Sequence, residues 1–457
     1  MPTLSQQIAD WAAKSSYEDL SAEAVKAAKT ILYDSLGCAF GGYKTHDVGI
    51  MRTWLEEKGG TGEATVIGSG KKLPAVEAAL LNALMVRALD YNDIYWKQDP
   101  SHPSDIIPGP LALGERMGKS GKDLLLAIAI GHEVEMRLCE AGFPGIRERK
   151  WHHATLTAFA APVACGRMMG LTGEQIAHAL GISGSRHATF GAITAGHLTM
   201  MKNTADPLAT QSGVFAAELA ARGYEGPEHV IEGKEGLFMA YGPEWKGEIL
   251  TDGLGETWRI QQCGLKAFPT EALTHAPLTA AIELVTEHDI KPDEIAEIHL
   301  KTIARAADIL SDPSKYDPQT RESADHSLPY CMSVAVVDRA ITPSSFTEEK
   351  IFDPTIRAQL KKLKVSAEPS YEALFPAKQP NELTIVTVDG ASHTKYVEFP
   401  MGDPRHPIPD HALQAKFSSL ASPVVSGERQ AELKRVIDDL ESVDRLDTLT
   451  GLLVSDL

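Results

Sequence analysis

From Leu4 to Phe40, apolar residues recur at three- and four-residue intervals among charged ones, which predicts amphipathic helices. Ser21 stands where an N-cap belongs, with Glu23 and Val25 behind it, and Gly41-Gly42 mark a stop. The Ala- and Leu-rich run that begins at Leu73-Pro74-Ala75 is apolar on every side, as a buried helix is, and leads without an obvious break to Asp90 and Asp93. Pro103 and Pro108 forbid helical continuation nearby. Further helices are predicted near Leu111 to Met117 and over Lys122 to Val134, where His132 reads as a core histidine or a support for a site residue. A loop follows from Gly142 to Lys150, and Trp151-His152-His153 opens an Ala-rich helix. Neighbours on a helix point about 100° apart, so at most one of His152 and His153 is expected to face a site. Thr172 and Gln175 have the form of a capping box for a helix reaching about Gly184. Lys202 lies where a Gly- and Thr-rich loop enters the next helix, and the chain is expected to stay almost entirely helical to about Trp258.

The period changes after Cys263. Glu294 to Thr302 alternates like a strand, and Leu383 to Val388 and His393 to Phe399 form a predicted β-hairpin across AspGly. Helices fall between, around Thr274 to His288 and His326 to Arg339, while Met401 to Pro407 reads as a linker into a helical tail. The expected class is mainly α with an α+β part. A large all-helical domain comes from both chain ends, residues 1–264 and 401–457, and a smaller α+β domain from residues 265–400.

Composition narrows the partners. A net charge of −18 over 457 residues argues against general binding to nucleic acid or anionic membranes. An anionic ligand would therefore need cations concentrated locally. The five cysteines form no CxxC or Cys/His cluster in sequence, so neither a disulfide framework nor a thiolate metal site is expected. No signal peptide opens the chain and no apolar run reaches membrane-spanning length. The expectation is a soluble cytoplasmic protein, or one of an organelle matrix after removal of a targeting segment. Gly68 to Lys72 is a loop without phosphate-loop spacing.

Candidate chemistry gathers between Arg87 and Ser104, where Asp90, Asp93 and His102 bring carboxylates and an imidazole to one stretch. Asp34, on an apolar face, is expected to be a buried carboxylate capping a neighbouring helix.

Five ordered motifs then resemble the MmgE/PrpD family: LeuAspTyrAsnAsp at 89–93 with SerHisProSer at 101–104, TrpHisHisAlaThr at 151–155, the Lys202 junction, GlyLeuLysAlaPhePro at 264–269, and AlaAspHisSerLeuProTyr at 324–330. That family includes 2-methylcitrate dehydratase, cis-aconitate decarboxylase and iminodisuccinate epimerase. The resemblance implies a homodimer in which the α+β domain acts as a lid, an active site between the domains, a small di- or tricarboxylate substrate, no metal and no organic cofactor. It implies catalytic roles for Asp90, His102, His152 and Tyr330, and carboxylate binding by Lys202 and Lys266. Two positions depart from the pattern: Ile94 stands where Thr is common, and Arg87, a further candidate cation for substrate, where many members have His. The span of 102 − 90 = 12 positions from Asp90 to His102 resembles the dehydratases more than the decarboxylases, whose loop is shorter. The expected reaction is dehydration of a hydroxy tricarboxylate such as 2-methylcitrate. Decarboxylation of cis-aconitate and epimerisation of a dicarboxylate are the alternatives within the family, and a catalytically silent helical dimer is the alternative outside it.

Overall fold

Thr3 and Ser21 accept the backbone N–H groups of Gln6 and Ala24, so the first helices, α1 (Leu4–Lys14) and α2 (Ala22–Gly42), start where side chains satisfy donors that a helix end leaves open. This is a computed structural model describing residues 2–195, 198–242 and 244–457; Met1 and two positions of the Gly- and Thr-rich loop before Lys202, 196 and 197, lie outside the described residues. After α3 (His46–Lys58), a short antiparallel ribbon of β1 (Ala64–Thr65) and β2 (Lys72–Leu73) turns over the Gly68 loop. The all-apolar run is α4 (Ala75–Arg87), buried on nearly every side. It packs so tightly on α2 that a Cβ on Gly42 would lie 2.1 Å from the Met85 carbonyl.

Helix α4 stops at Arg87 and does not run on to Asp93. Asp90 has φ 50°, a left-handed conformation that Asp tolerates better than most residues, and the chain turns there into β3 (Asp93–Trp96). β3 pairs antiparallel with β4 (Pro100–Ser101). Pro103 and Pro108 start helical segments here. Pro103 opens a 3-10 turn to Ile106, and Pro108 opens α5 (Pro108–Met117), because the missing N–H at a first helical position has no partner to lose. The capping box of Ser120 and Asp123 begins α6 (Gly121–Ala141). α7 (Ala154–Met169), α8 (Gly173–Arg186), which starts on the predicted Thr172/Gln175 box, and α9 (Met201–Ala220) pack on one another. The stretch from α9 to Trp258 is less helical than predicted and, among the described residues, holds only α10 (Leu237–Tyr241) and α11 (Glu248–Thr251) as α-helices.

Packing divides the chain into two units, one running to Cys263 and resuming at Pro409–Leu457, the other Gly264–Ile408. In the second, β5 (Gly264–Leu265) precedes a four-stranded sheet of order β7-β6-β8-β9. Its members are β6 (Ile295–Thr302), β7 (Leu363–Ala367) parallel to it, β8 (Asn381–Thr387) antiparallel to it, and β9 (Ser392–Val397). Ile298, Leu300, Leu383 and Ile385 are buried at alternate positions, the period that predicted these strands. Helices α12 (His275–Glu287), α13 (Ala304–Leu310), α14 (Arg321–Ala324), α15 (Leu328–Asp338), α16 (Glu348–Ile351), α17 (Pro354–Leu360) and α18 (Pro369–Glu372) complete the unit, α12 against β8 and β9.

The tail returns to the first unit as α19 (Asp410–Ala421), α20 (Gly427–Asp438) and α21 (Asp447–Thr450). It corrects the reading of Asp34, which caps no helix. Its carboxylate lies 2.6 Å from Lys416 Nζ on α19, so an ammonium neutralises the buried charge. The same Nζ donates to the Tyr91 carbonyl at 2.7 Å, and the tail thereby pins the turn that carries Asp90.

Candidate active site

The turn after α4 places Asp90 between two cations. Arg87, one helical turn earlier, contacts Asp90 Oδ1, and Lys202 Nζ at the start of α9 donates to Oδ2 at 2.9 Å. All three are buried, Lys202 the least so at 9% exposure. Arg87 Nε also lies 3.6 Å from Asp105 Oδ2. Asp105 accepts from Asn92 Nδ2 at 3.0 Å, and its carboxyl is pushed well above the usual range by burial and by nearby Asp206. Arg87 and Lys202 share the Asp90 carboxylate, and Arg87 also acts with Asp105 and Asp206.

Three imidazoles gather beside it. His102 follows β4, and its Nδ1–H donates to the Asp93 carbonyl at 2.6 Å, which leaves the lone pair of the neutral ring on Nε2. His152 has the opposite tautomer: its Nδ1 accepts the Ala154 backbone N–H at 3.2 Å, so the proton of the neutral ring sits on Nε2. Burial, then electrostatic repulsion from the neighbouring His153, hold His152 well below the ordinary imidazole value of 6.5. Ring centroids are 3.8 Å apart for His152 and His153 and 5.4 Å apart for His102 and His153. The 100° rule fails for the adjacent histidines because α7 begins only at Ala154. Both precede the helix and both turn inward, each less than a tenth exposed.

Acids beneath the imidazoles set their charge. His153 Nε2 lies 3.5 Å from Asp206 Oδ1 on α9. Burial pushes the Asp206 carboxyl up, but His153, His152 and Arg87 outweigh it and hold the group well below the carboxylate range. Thr157 donates to Glu135 Oε1 at 2.8 Å, with Asp206 Oδ1 3.4 Å from the same hydroxyl, and Ser101, the neighbour of His102, also donates to Glu135. Burial raises Glu135 to about 8, so it is mostly protonated at neutral pH.

His153, Asp206 and Glu135 were missed in the sequence. Lys202 and Asp206 are four apart on α9 and His132 and Glu135 three apart on α6, and polar pairs on one face of an apolar helix were the available signal.

The remaining expected residues belong to the second unit. Lys266 is buried and donates to the Thr270 carbonyl at 3.1 Å, in a loop held by the Leu265 N–H to Gly402 carbonyl bond of 2.9 Å. Tyr330 is fully buried on α15 and donates its O–H to the Ser345 carbonyl at 2.6 Å, a core role in its own unit. A groove of about 820 Å³ opens elsewhere on the first unit, near Tyr33, Lys29 and Lys434. Two of its cations are ion-paired, Lys29 with Glu441 and Lys434 with Asp438 at 2.5 Å. Among the described residues no helix is long and apolar enough to cross a membrane.

Comparison with known proteins places two domain signatures on the chain, the MmgE/PrpD N-terminal domain over residues 6–248 and the MmgE/PrpD C-terminal domain over 268–442. The chain is 27% identical over 477 residues to a cis-aconitate decarboxylase of Aspergillus terreus, covering 98% of this chain and 94% of that one. It is 27% identical over 452 residues to the cis-aconitate decarboxylase of Homo sapiens, covering 95% and 91%. It is 25% identical over 417 residues to the 2-methylcitrate dehydratase of Salmonella typhi, covering 85% and 84%.

Proposed function

The chain belongs to the MmgE/PrpD family, and we propose that it is an acid/base lyase that dehydrates a hydroxy tricarboxylate of the 2-methylcitrate type. The observation that carries this reading is the pair of opposite tautomers. His102 offers a lone pair at Nε2 and His152 a proton at Nε2. Dehydration needs a base for a carbon-bound proton and an acid for the departing hydroxide, and such a pair is set for both before substrate arrives. Lys202 and Arg87, both positioned by Asp90, hold a substrate carboxylate and stabilise the charge that collects on it as the proton leaves. Asp90 keeps both cations in place and is the competing candidate for the base. Lys266 enters as a second carboxylate ligand on the family pattern. Tyr330, whose O–H is held by Ser345, is left out of the proton-transfer set.

A second reading, decarboxylation of cis-aconitate, is favoured by the higher identity to relatives of that name. Loss of carbon dioxide needs an acid for the resulting carbanion but no base for a carbon-bound proton, so a preset lone pair has no task in it. The 12-position span from Asp90 to His102 supports the first reading as well.

The test supplies 2-methylcitrate, citrate and cis-aconitate separately and follows both ultraviolet absorbance of the conjugated acid and release of carbon dioxide. Dehydration predicts absorbance from a hydroxy acid with no gas. Gas from cis-aconitate alone transfers the assignment to the second reading. His102→Ala and Lys266→Ala are expected to remove activity while leaving the fold intact, and near-normal turnover in both would sink the site assignment.

A further inference from the structure

One buried cluster takes no part in the proposed reaction. Asp93 on β3, His132 in the middle of α6 and Cys263 at the end of the first unit come from three separate stretches of chain. Their donor atoms all lie within 4.8 Å of one another. Cys263 Sγ is 3.3 Å and His132 Nε2 is 3.4 Å from the same oxygen, Asp93 Oδ2. All three residues are buried, Cys263 the most accessible at 9% exposure.

The imidazole carries the argument. His132 Nδ1 faces the Ile128 carbonyl at 2.9 Å, and a carbonyl only accepts, so Nδ1 holds the ring proton. Nε2 is therefore the ring atom that points at the Asp93 carboxylate oxygen, at 3.4 Å. Nε2 is buried and makes no hydrogen bond. Asp93 Oδ2 already accepts the Ser104 backbone N–H at 2.9 Å and Oδ1 the Ser104 hydroxyl at 2.7 Å, so the carboxylate is oriented independently of the histidine. An Nδ1–H bonded to a backbone carbonyl is also what fixes a metal-bound imidazole.

No lysine or arginine side chain among the described residues forms an ion pair with the Asp93 carboxylate. Zinc bonds of about 2.3 Å to sulfur and about 2.0–2.1 Å to nitrogen and oxygen give tetrahedral edges of roughly 3.3–3.5 Å. The Sγ···Oδ2 separation of 3.3 Å and the Nε2···Oδ2 separation of 3.4 Å lie within about 0.2 Å of the corresponding edges, roughly 3.5 and 3.3 Å. A thiol, an imidazole and a carboxylate together suit zinc better than magnesium or calcium, which prefer oxygen alone.

We propose that Asp93 Oδ2, His132 Nε2 and Cys263 Sγ form a binding site for one Zn²⁺ ion, with water in the fourth position. Binding breaks the Cys263 S–H bond and releases that proton to solvent as the Zn–S bond forms, with no change in oxidation state. The Asp93 carbonyl holds His102 Nδ1, which places the ion one residue behind the proposed base without touching substrate.

The full chain, kept reduced with a non-thiol reductant, is incubated with Co²⁺ alone, and free metal is removed by gel filtration. The site predicts one retained Co²⁺ per chain and a thiolate-to-cobalt charge-transfer band in the near ultraviolet. Both are lost in Cys263→Ser and in His132→Gln with unchanged circular dichroism. No retained metal in the wild type, or a band that survives Cys263→Ser, overturns the proposal. If either variant does not fold, anomalous scattering from zinc-soaked wild-type crystals decides: a peak bonded to the three named atoms supports the site, and a peak elsewhere or none refutes it.

Discussion

Glu135→Gln isolates one buried proton. The wild-type carboxyl is raised from the ordinary 4.5 to about 8, with burial as the main cause and Asp206 and Asp93 adding to it. Between those two values the native state holds a proton that the unfolded chain has released, so stability falls as pH rises through this window. Midway, the slope is that of one proton, about 1.4 kcal/mol per pH unit. Integrated from pH 5 to pH 7, the loss assigned to Glu135 is roughly 2.5 kcal/mol. Glutamine keeps an oxygen to accept from Ser101 and Thr157 but has no proton to lose. Urea unfolding of wild type and variant at half-unit steps from pH 5 to pH 8 is the assay. The difference between the two curves cancels every other titrating group, and it is expected to favour the variant increasingly as pH rises. Parallel curves would mean that Glu135 is ionised in the native state, and the reading of Glu135 as a buried neutral acid would be wrong.

Two further outcomes follow from the same network. His152, held well below 6.5, keeps Nε2–H without becoming charged as pH falls, so the acid limb of kcat/KM is that of the base, and His102→Gln should erase it along with most of the rate; a limb that persists unshifted in the variant belongs to another group. Because its folded value is lowered, the unfolded chain binds this proton first, and His152 lowers stability only below about pH 6.5. Lys416→Met strands the Asp34 carboxylate and removes the donor to the Tyr91 carbonyl, at an expected cost of about 3–5 kcal/mol in chemical denaturation. Adding Asp34→Asn should recover part of that loss, since the pair is coupled through contact, and a simply additive double variant would refute the pairing.

Helix starts were legible because a cap is a local device. Ser21 and the Thr172/Gln175 box act on donors only two or three residues away, and the structure places both where the sequence does. Fold class was legible for the same reason, since periods of 3.6 and 2 report which neighbours share a face. The errors have local causes too. An apolar run does not reveal where α4 ends, because the turn at Asp90 depends on cations from α4 and α9 and on Lys416 holding Tyr91. The adjacent histidines were read by a helix rule, yet they sit just ahead of the helix, where backbone direction is free to bring both rings together.

The sequence by itself determined the helical body, the hairpin of the second unit and the residue types available for acid/base work, all of which rest on spacings of a few positions. Only the tertiary structure decided the charge state and partner of each group. Asp34 found Lys416 across the chain, Asp206 found His153, and Glu135 kept its proton, because burial magnifies whichever charges happen to face a group, and those come from distant segments. The tautomers of His102 and His152 follow the same logic: a single backbone carbonyl and a single backbone N–H set which nitrogen carries the proton, and the fold placed one against each ring.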